Sequence, residues 1–320
     1  MNRREFIAAG LATAPTLLSC GRLAAAPKRS EPLALATADT EAHVVAVSLT
    51  TGKVHQRLRT VEGPHGIQSG ANQIAVVAHT DAGAVSILDG RPITVRKVLR
   101  GFSAPRYAAI TPDGRHAFVT DSGTGELAVV DLQTAKVVHR TPVGEHARHL
   151  TLDPAGRTLW IGLGSSAAEL AVVDVRDPLR PRNVRRIRPP FPAHDVGFSP
   201  SGRRVWVTAG NESHVALYAT GATRPAALLP AAPGPQHVTF GPHAAYVASG
   251  SGRSLRVHAL GDGRLLRDTR VPIGSYNVQR GAGRVLTPSL DMGALTILDD
   301  RGRVLHELQV ASHAHDVCVV

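Results

Sequence analysis

His313-Ala314-His315-Asp316-Val317-Cys318-Val319-Val320, the last eight residues, read as the missing first strand of a module whose other strands lie at the opposite end of the chain. Upstream, the chain repeats a unit that opens with a His- or Arg-containing turn and an apolar strand. The C-terminus stops after one such strand. The remainder of that unit lies at the other end of the chain, at Pro32 to Ala36, Val44 to Leu49 and Val54 to Thr60. The two ends therefore predict a closed ring, because pairing them removes the strand edge that an open array would expose.

The turns define the repeat. Thr111-Pro112-Asp113-Gly114, Asp153-Pro154-Ala155-Gly156 and Ser199-Pro200-Ser201-Gly202 are equivalent, and Pro112, Pro154, Pro200 and Pro242 are spaced by 42, 46 and 42 residues. An apolar strand precedes each turn and a second follows it, as in Ala117 to Thr120 and Leu159 to Gly162. A third strand comes after a small polar loop, as in Leu127 to Asp131, and a fourth closes the unit, as in Lys136 to Thr141. Short β-branched runs between Gly, Pro, Asp and Ser turns argue for antiparallel hairpins. Four strands in about 42 residues match a β-propeller blade. Units start near 62, 103, 145, 191, 233 and 275, and the seventh is split between 313–320 and 32–61. The expected fold is all-β: one seven-bladed β-propeller over residues 31–320, its last blade closed by the C-terminal strand. Aromatic residues make up only 4% of the chain, so Val, Ala, Leu and Ile must fill the core.

The run Ala117-Phe118-Val119-Thr120-Asp121-Ser122-Gly123-Thr124-Gly125-Glu126-Leu127-Ala128-Val129-Val130-Asp131 resembles the repeat of YVTN (YncE-like) propellers. Thr134 to Val138, Pro142-Val143-Gly144 and the turn Gly63-Pro64-His65-Gly66 are similar to the same family. The resemblance covers residues 32–320; blade 2 is the cleanest copy and blades 1 and 6 match less well. There is no Trp-Asp dipeptide of the WD40 kind. The resemblance implies architecture strongly and function poorly, since such propellers include surface, periplasmic and binding proteins, and related rings include lactonases and haem-handling proteins.

Residues 1–30 read as an export signal with a short linker. Asn2-Arg3-Arg4-Glu5-Phe6-Ile7 resembles a twin-arginine signal, followed by a weakly apolar stretch to Leu18. Leu17-Leu18-Ser19-Cys20 resembles a lipobox, which would make Cys20 a lipidated anchor, whereas Ala24-Ala25-Ala26 fits ordinary cleavage. Export in the folded state to the periplasm is the expectation under either reading. No apolar run approaches the ~20 residues that span a bilayer as a helix. The other cysteine, Cys318, reads as a small buried residue in a strand.

The formal charge of +11 is carried almost wholly by arginine. Its densest cluster is Arg176, Arg180, Arg182, Arg185, Arg186 and Arg188, which alternates around Val184 and Ile187 as an outer strand with a solvated face would. No motif for specific nucleic-acid binding accompanies it.

In a propeller the first strand of each blade is innermost. Aligned on the turns, the residues just before it are, in blade order, His65, Arg106, Arg148, His194, Gln236, Tyr276 and His315. The next position gives Gly66, Tyr107, His149, Asp195, His237, Asn277 and Asp316, and the third is apolar in every blade. Five of the sixteen histidines fall in this two-residue slot. Three readings follow. The polar groups serve neighbouring turns and channel waters, as buried polar groups require. Alternatively Arg106 and Arg148, on adjacent blades, grip a carboxylate or phosphate, with Tyr107 and Tyr276 supplying stacking surface. Or imidazoles hold a metal or a haem, His65 and His315 being neighbours across the seam and His194 lying opposite. Adjacent strand residues point to opposite faces, so Asp195 and Asp316, each in an Ala-His-Asp-Val tetrapeptide, should serve the next blade's histidine. The sequence requires no cofactor. It contains no Gly-x-Ser-x-Gly elbow and no P-loop, and a lactonase-like centre would have to draw on Asp195, Asn277 and Asp316. The expected function is noncatalytic binding of a small anionic ligand at the mouth, or of a periplasmic protein on the ring face, by a monomer. A metal- or haem-handling protein or a metal-dependent lactonase-like hydrolase is the alternative.

Overall fold

The computed structural model describes residues 31–320 apart from Ser165. The export signal, both cleavage readings and the lipidation of Cys20 lie outside the described residues. Residues 31–320 form seven antiparallel four-stranded sheets. Blade 2 is typical, with strands Pro105–Ile110, His116–Asp121, Glu126–Asp131 and Lys136–Pro142. The expected turns close it and its neighbours: the N–H of Gly114, Gly156 and Gly202 donates to the carbonyl of Thr111, Asp153 and Ser199 respectively. At the ends of third strands, Asp131 and Asp299 accept backbone N–H groups of the following turn. These carboxylates are turn organisers.

First strands of successive blades touch all the way round, so they form the inner wall of the ring. The C-terminal strand Ala314–Val319 takes that inner place in blade 7 and pairs with Leu33–Ala38, followed outward by His43–Ser48 and Val54–Arg59. Leu33 and Val320 exchange both backbone hydrogen bonds at 2.9 Å, so the seam is closed to its last residue. Seven apolar clusters lie one at each blade interface. Aliphatic side chains dominate them, and the two tryptophans mark only the interfaces around blade 4: Trp160 meets Tyr218 edge-on at 5.7 Å, and Trp206 meets Phe240 at 5.9 Å. Burial of this kind is worth roughly 25 cal/mol per Å² of apolar surface, so cohesion is spread round the whole ring.

The outer strand Arg182–Ile187 of blade 3 carries Arg182, Arg185 and Arg186 of the basic cluster on a largely exposed face. Arg185 departs from the solvated pattern: it caps the carbonyls of Thr220 and Gly221 on the next blade and lies over Trp160. Cys318 is buried in the inner strand of blade 7, and burial pushes its thiol up out of the reactive range.

Candidate functional site in the central channel

The two-residue slot is a repeated β-bulge. In blades 7, 1 and 2 the register skips so that His315-Asp316, His65-Gly66 and Arg106-Tyr107 each oppose a single residue of the second strand. In blades 3 and 4, both members of Arg148-His149 bond to Gly162, and both members of His194-Asp195 bond to Thr208. Two residues facing one break the pleat and re-aim the side chains. Strict alternation therefore fails here, and side chains from both positions converge on the channel.

A second repeated device locks each bulge to the next blade. Threonines of the second strand donate to the slot carbonyl one blade on: Thr37 to His65, Thr120 to Arg148 and Thr208 to Gln236, at 3.1, 2.7 and 2.6 Å. The two Ala-His-Asp-Val tetrapeptides add to it in the same way. His194 Nδ1 donates to the Gln236 carbonyl and His315 Nδ1 to the His65 carbonyl, both at 3.1 Å. Asp195 Oδ2 accepts the N–H of Val238 at 3.1 Å, and Asp316 Oδ2 accepts that of Ile67 at 2.8 Å. The expectation that each aspartate serves the next blade's histidine holds for one of them: Asp195 lies 3.4 Å from His237 Nδ1. For Asp316 the corresponding residue is Gly66, where a Cβ would sit 2.4 Å from the Arg106 carbonyl oxygen. His65 instead faces Asp39, 3.9 Å away on the short 3-10 turn Asp39–Glu41, a residue that the repeat alignment does not reach.

The rings pack as one continuous layer across the channel. His65 stacks on His315 at 3.8 Å, Tyr107 lies 5.6 Å from His65 and 4.0 Å from His149, and His149 is 4.6 Å from His194 and 4.7 Å from His237. Tyr276 does not join them; its ring packs over Gly250, beside Asp291. Next to the layer is a cavity of about 180 Å³. Tyr107, His149, Asp195, His237, Asn277 and Asp316 line it, all from the second slot position. The first-position residues do not line it.

Burial sets the protonation states. Loss of water pushes His65, His149, His194 and His315 below the usual imidazole range, and mutual repulsion adds to this at His149. All four are therefore neutral at pH 7. Burial also raises the Asp316 carboxyl to about 7, and lifts the Tyr107 hydroxyl so that it stays protonated. The Arg148 guanidinium is destabilised first by burial and then by Arg106 beside it. Arg106 Nε, His65 Nε2, Asn277 Oδ1 and both ring nitrogens of His149 are buried without a hydrogen-bond partner.

Among the described residues, one group of three imidazoles converges with the geometry of a metal site: His149, His194 and His237, whose ligand nitrogens all lie within 4.8 Å of one another. The sequence placed all three in the slot but favoured His65 with His315 as the metal pair. In the structure those two rings are stacked, and His315 Nδ1 is committed to the His65 carbonyl. The grouping of 149, 194 and 237 mixes both slot positions on three consecutive blades, which strict alternation would have separated.

The arrangement defines a propeller with a polar, imidazole-rich channel. No family model and no curated protein matches the chain. Solved structures do. A functionally unknown protein of Desulfotomaculum acetoxidans is 12% identical with a TM-score of 0.78, over 90% of this chain and 98% of that one. A provisionally named 6-phosphogluconolactonase of Bacteroides uniformis is 13% identical with a TM-score of 0.75, over 91% and 99%. The dihydro-haem d1 dehydrogenase NirN, solved in complex with DHE, is 16% identical with a TM-score of 0.65, over 87% of this chain and 64% of that one. At these identities the likeness is one of fold.

Proposed function

We propose that the protein is a noncatalytic propeller of the YVTN (YncE-like) kind, exported to the periplasm by the twin-arginine route. It takes a small anion at the His/Arg-lined mouth of its channel. The observation that carries this reading is that Arg106 and Arg148 hold the same slot position on adjacent blades, where burial and then repulsion from Arg106 penalise the charge of Arg148. An anion between them offsets both costs, and Arg106 Nε is a buried donor without a partner. Guanidinium groups suit carboxylate and phosphate because two parallel N–H groups meet two oxygens. The histidine rings already touch one another, which disfavours a porphyrin at this place. A lactonase-like centre is disfavoured because Asp195 and Asp316 are engaged by backbone N–H groups of the next blade.

Calorimetric titration of the metal-free protein with phosphate, acetate, succinate and citrate tests the reading. At least one anion should bind with an affinity that falls as salt is raised. Arg106→Gln and Arg148→Gln should each weaken it tenfold or more, about 1.4 kcal/mol. Equal affinity in Arg106→Gln, or no heat with any of the four, would count against it.

A further inference from the structure

The three imidazoles at the centre of the ring carry more chemistry than anion binding uses. We propose that His149, His194 and His237 form a binding site for a first-row transition-metal ion, with zinc the reference occupant, built from the bulges of blades 3, 4 and 5.

Four observations lead there. The ligand nitrogens lie within 4.8 Å of one another. A metal–imidazole bond of about 2.0–2.1 Å places tetrahedral ligands ~3.3–3.4 Å apart, so closing the site needs the widest pair to approach by roughly 1.5 Å. Second, two of the rings are already oriented by their other nitrogen. His194 gives its Nδ1–H to the Gln236 carbonyl, and His237 Nδ1 faces the Asp195 carboxylate. Each is left with Nε2 as the free lone pair, the arrangement in which a carbonyl or carboxylate fixes the tautomer of a metal-bound histidine. Third, His149 is buried between these two rings with both nitrogens unpartnered. An orphaned buried polar group costs about 1–3 kcal/mol, and coordination removes that cost at the ligating nitrogen. Fourth, His149 and His237 line the cavity of about 180 Å³, which also holds the unpartnered Asn277 Oδ1. There is room beside the ion for a water or small anion as fourth ligand, with a hydrogen-bond acceptor nearby.

The donor set decides the class of ion. Three imidazoles without thiolate suit Zn, Cu, Fe or Ni and are poor for Mg or Ca, which take oxygen ligands. The site differs from the pair at the seam because only the blade 4 tetrapeptide is followed, one blade on, by a histidine at the second slot position. The equivalent residue after blade 7 is Gly66. The inference is independent of the anion reading, which concerns the arginines of the first slot position.

The test uses the full chain, stripped with EDTA and desalted. After incubation with Zn²⁺ and a second desalting, elemental analysis should find close to one equivalent retained. With Co²⁺ the visible spectrum should show the strong bands of a four- or five-coordinate ion. His149→Gln and His237→Gln should each lower Zn²⁺ affinity at least tenfold, whereas exposed His214→Gln should leave it unchanged. Retention of no zinc by the wild-type chain, the weak spectrum of hexa-aqua cobalt alone, or equal binding by folded His149→Gln would overturn the proposal. If the variants do not fold, the wild-type cobalt spectrum decides. Anion titrations on the stripped protein separate this outcome from that of the mouth.

Discussion

At the scale of single residues, the molecule depends on histidines held neutral. His79 is fully buried, with Nε2 2.8 Å from the Ser86 hydroxyl and Nδ1 3.2 Å from the Glu62 carbonyl. Burial lowers its pKa from 6.5 to about 4. The unfolded chain therefore binds a proton there that the native state refuses, throughout the window from pH 6.5 down to about 4. Stability from this group is complete above pH 6.5 and declines as pH falls, by about 3 kcal/mol in all. His65, His149, His194, His258 and His315 shift in the same direction. Asp316 runs the other way: raised from 3.8 to about 7, it favours the native state at low pH and loses that contribution as pH rises toward 7. One carboxyl against six imidazoles leaves the histidines in control. The melting temperature of the metal-free protein should fall steadily from pH 7.5 to 5, and His79→Gln should flatten part of the slope. A melting temperature that is constant or rising over that interval would contradict the assignment.

At the scale of elements, most of the ring was legible because its punctuation is local. The Pro-Asp-Gly, Pro-Ala-Gly and Pro-Ser-Gly turns lie between strands as read, and the last eight residues supply the inner strand of blade 7. The bulges were not legible. Nothing in Arg148-His149 or His194-Asp195 marks two residues that oppose one; the skip shows only in how they pair with the second strand. The repeated Ala-His-Asp-Val was the available clue, and its two copies make the same inter-blade bonds. The candidate site was thus read as a ring of positions but not as the cluster 149, 194 and 237. The closing strand offers a test at this scale. Deleting residues 313–320 exposes the edge of Leu33–Ala38, removes buried Val317 and Cys318, and strips Ile67 of its acceptor on Asp316. The shortened chain should lose its cooperative thermal transition and associate through the open edge, as calorimetry and light scattering would detect.

At the scale of the whole molecule, seven similar blades carry an uneven chemistry. The tryptophans brace blade 4, the paired arginines stand on blades 2 and 3, and the convergent imidazoles on blades 3, 4 and 5. The near-symmetry supplies the frame, and departures from it within the two-residue slot supply the individuality. The seam has a mechanical meaning of its own. Leu33 and Val320 are partners at one end of an antiparallel pair, so a pull that separates them loads the backbone hydrogen bonds singly, from the ends inward. The ring is clasped by a zipper whose tabs are its own termini. With handles at residues 31 and 320 in an optical trap, the first extension should come at low force and release the strand Ala314–Val319 alone, a step of roughly 25 Å, before any other blade yields.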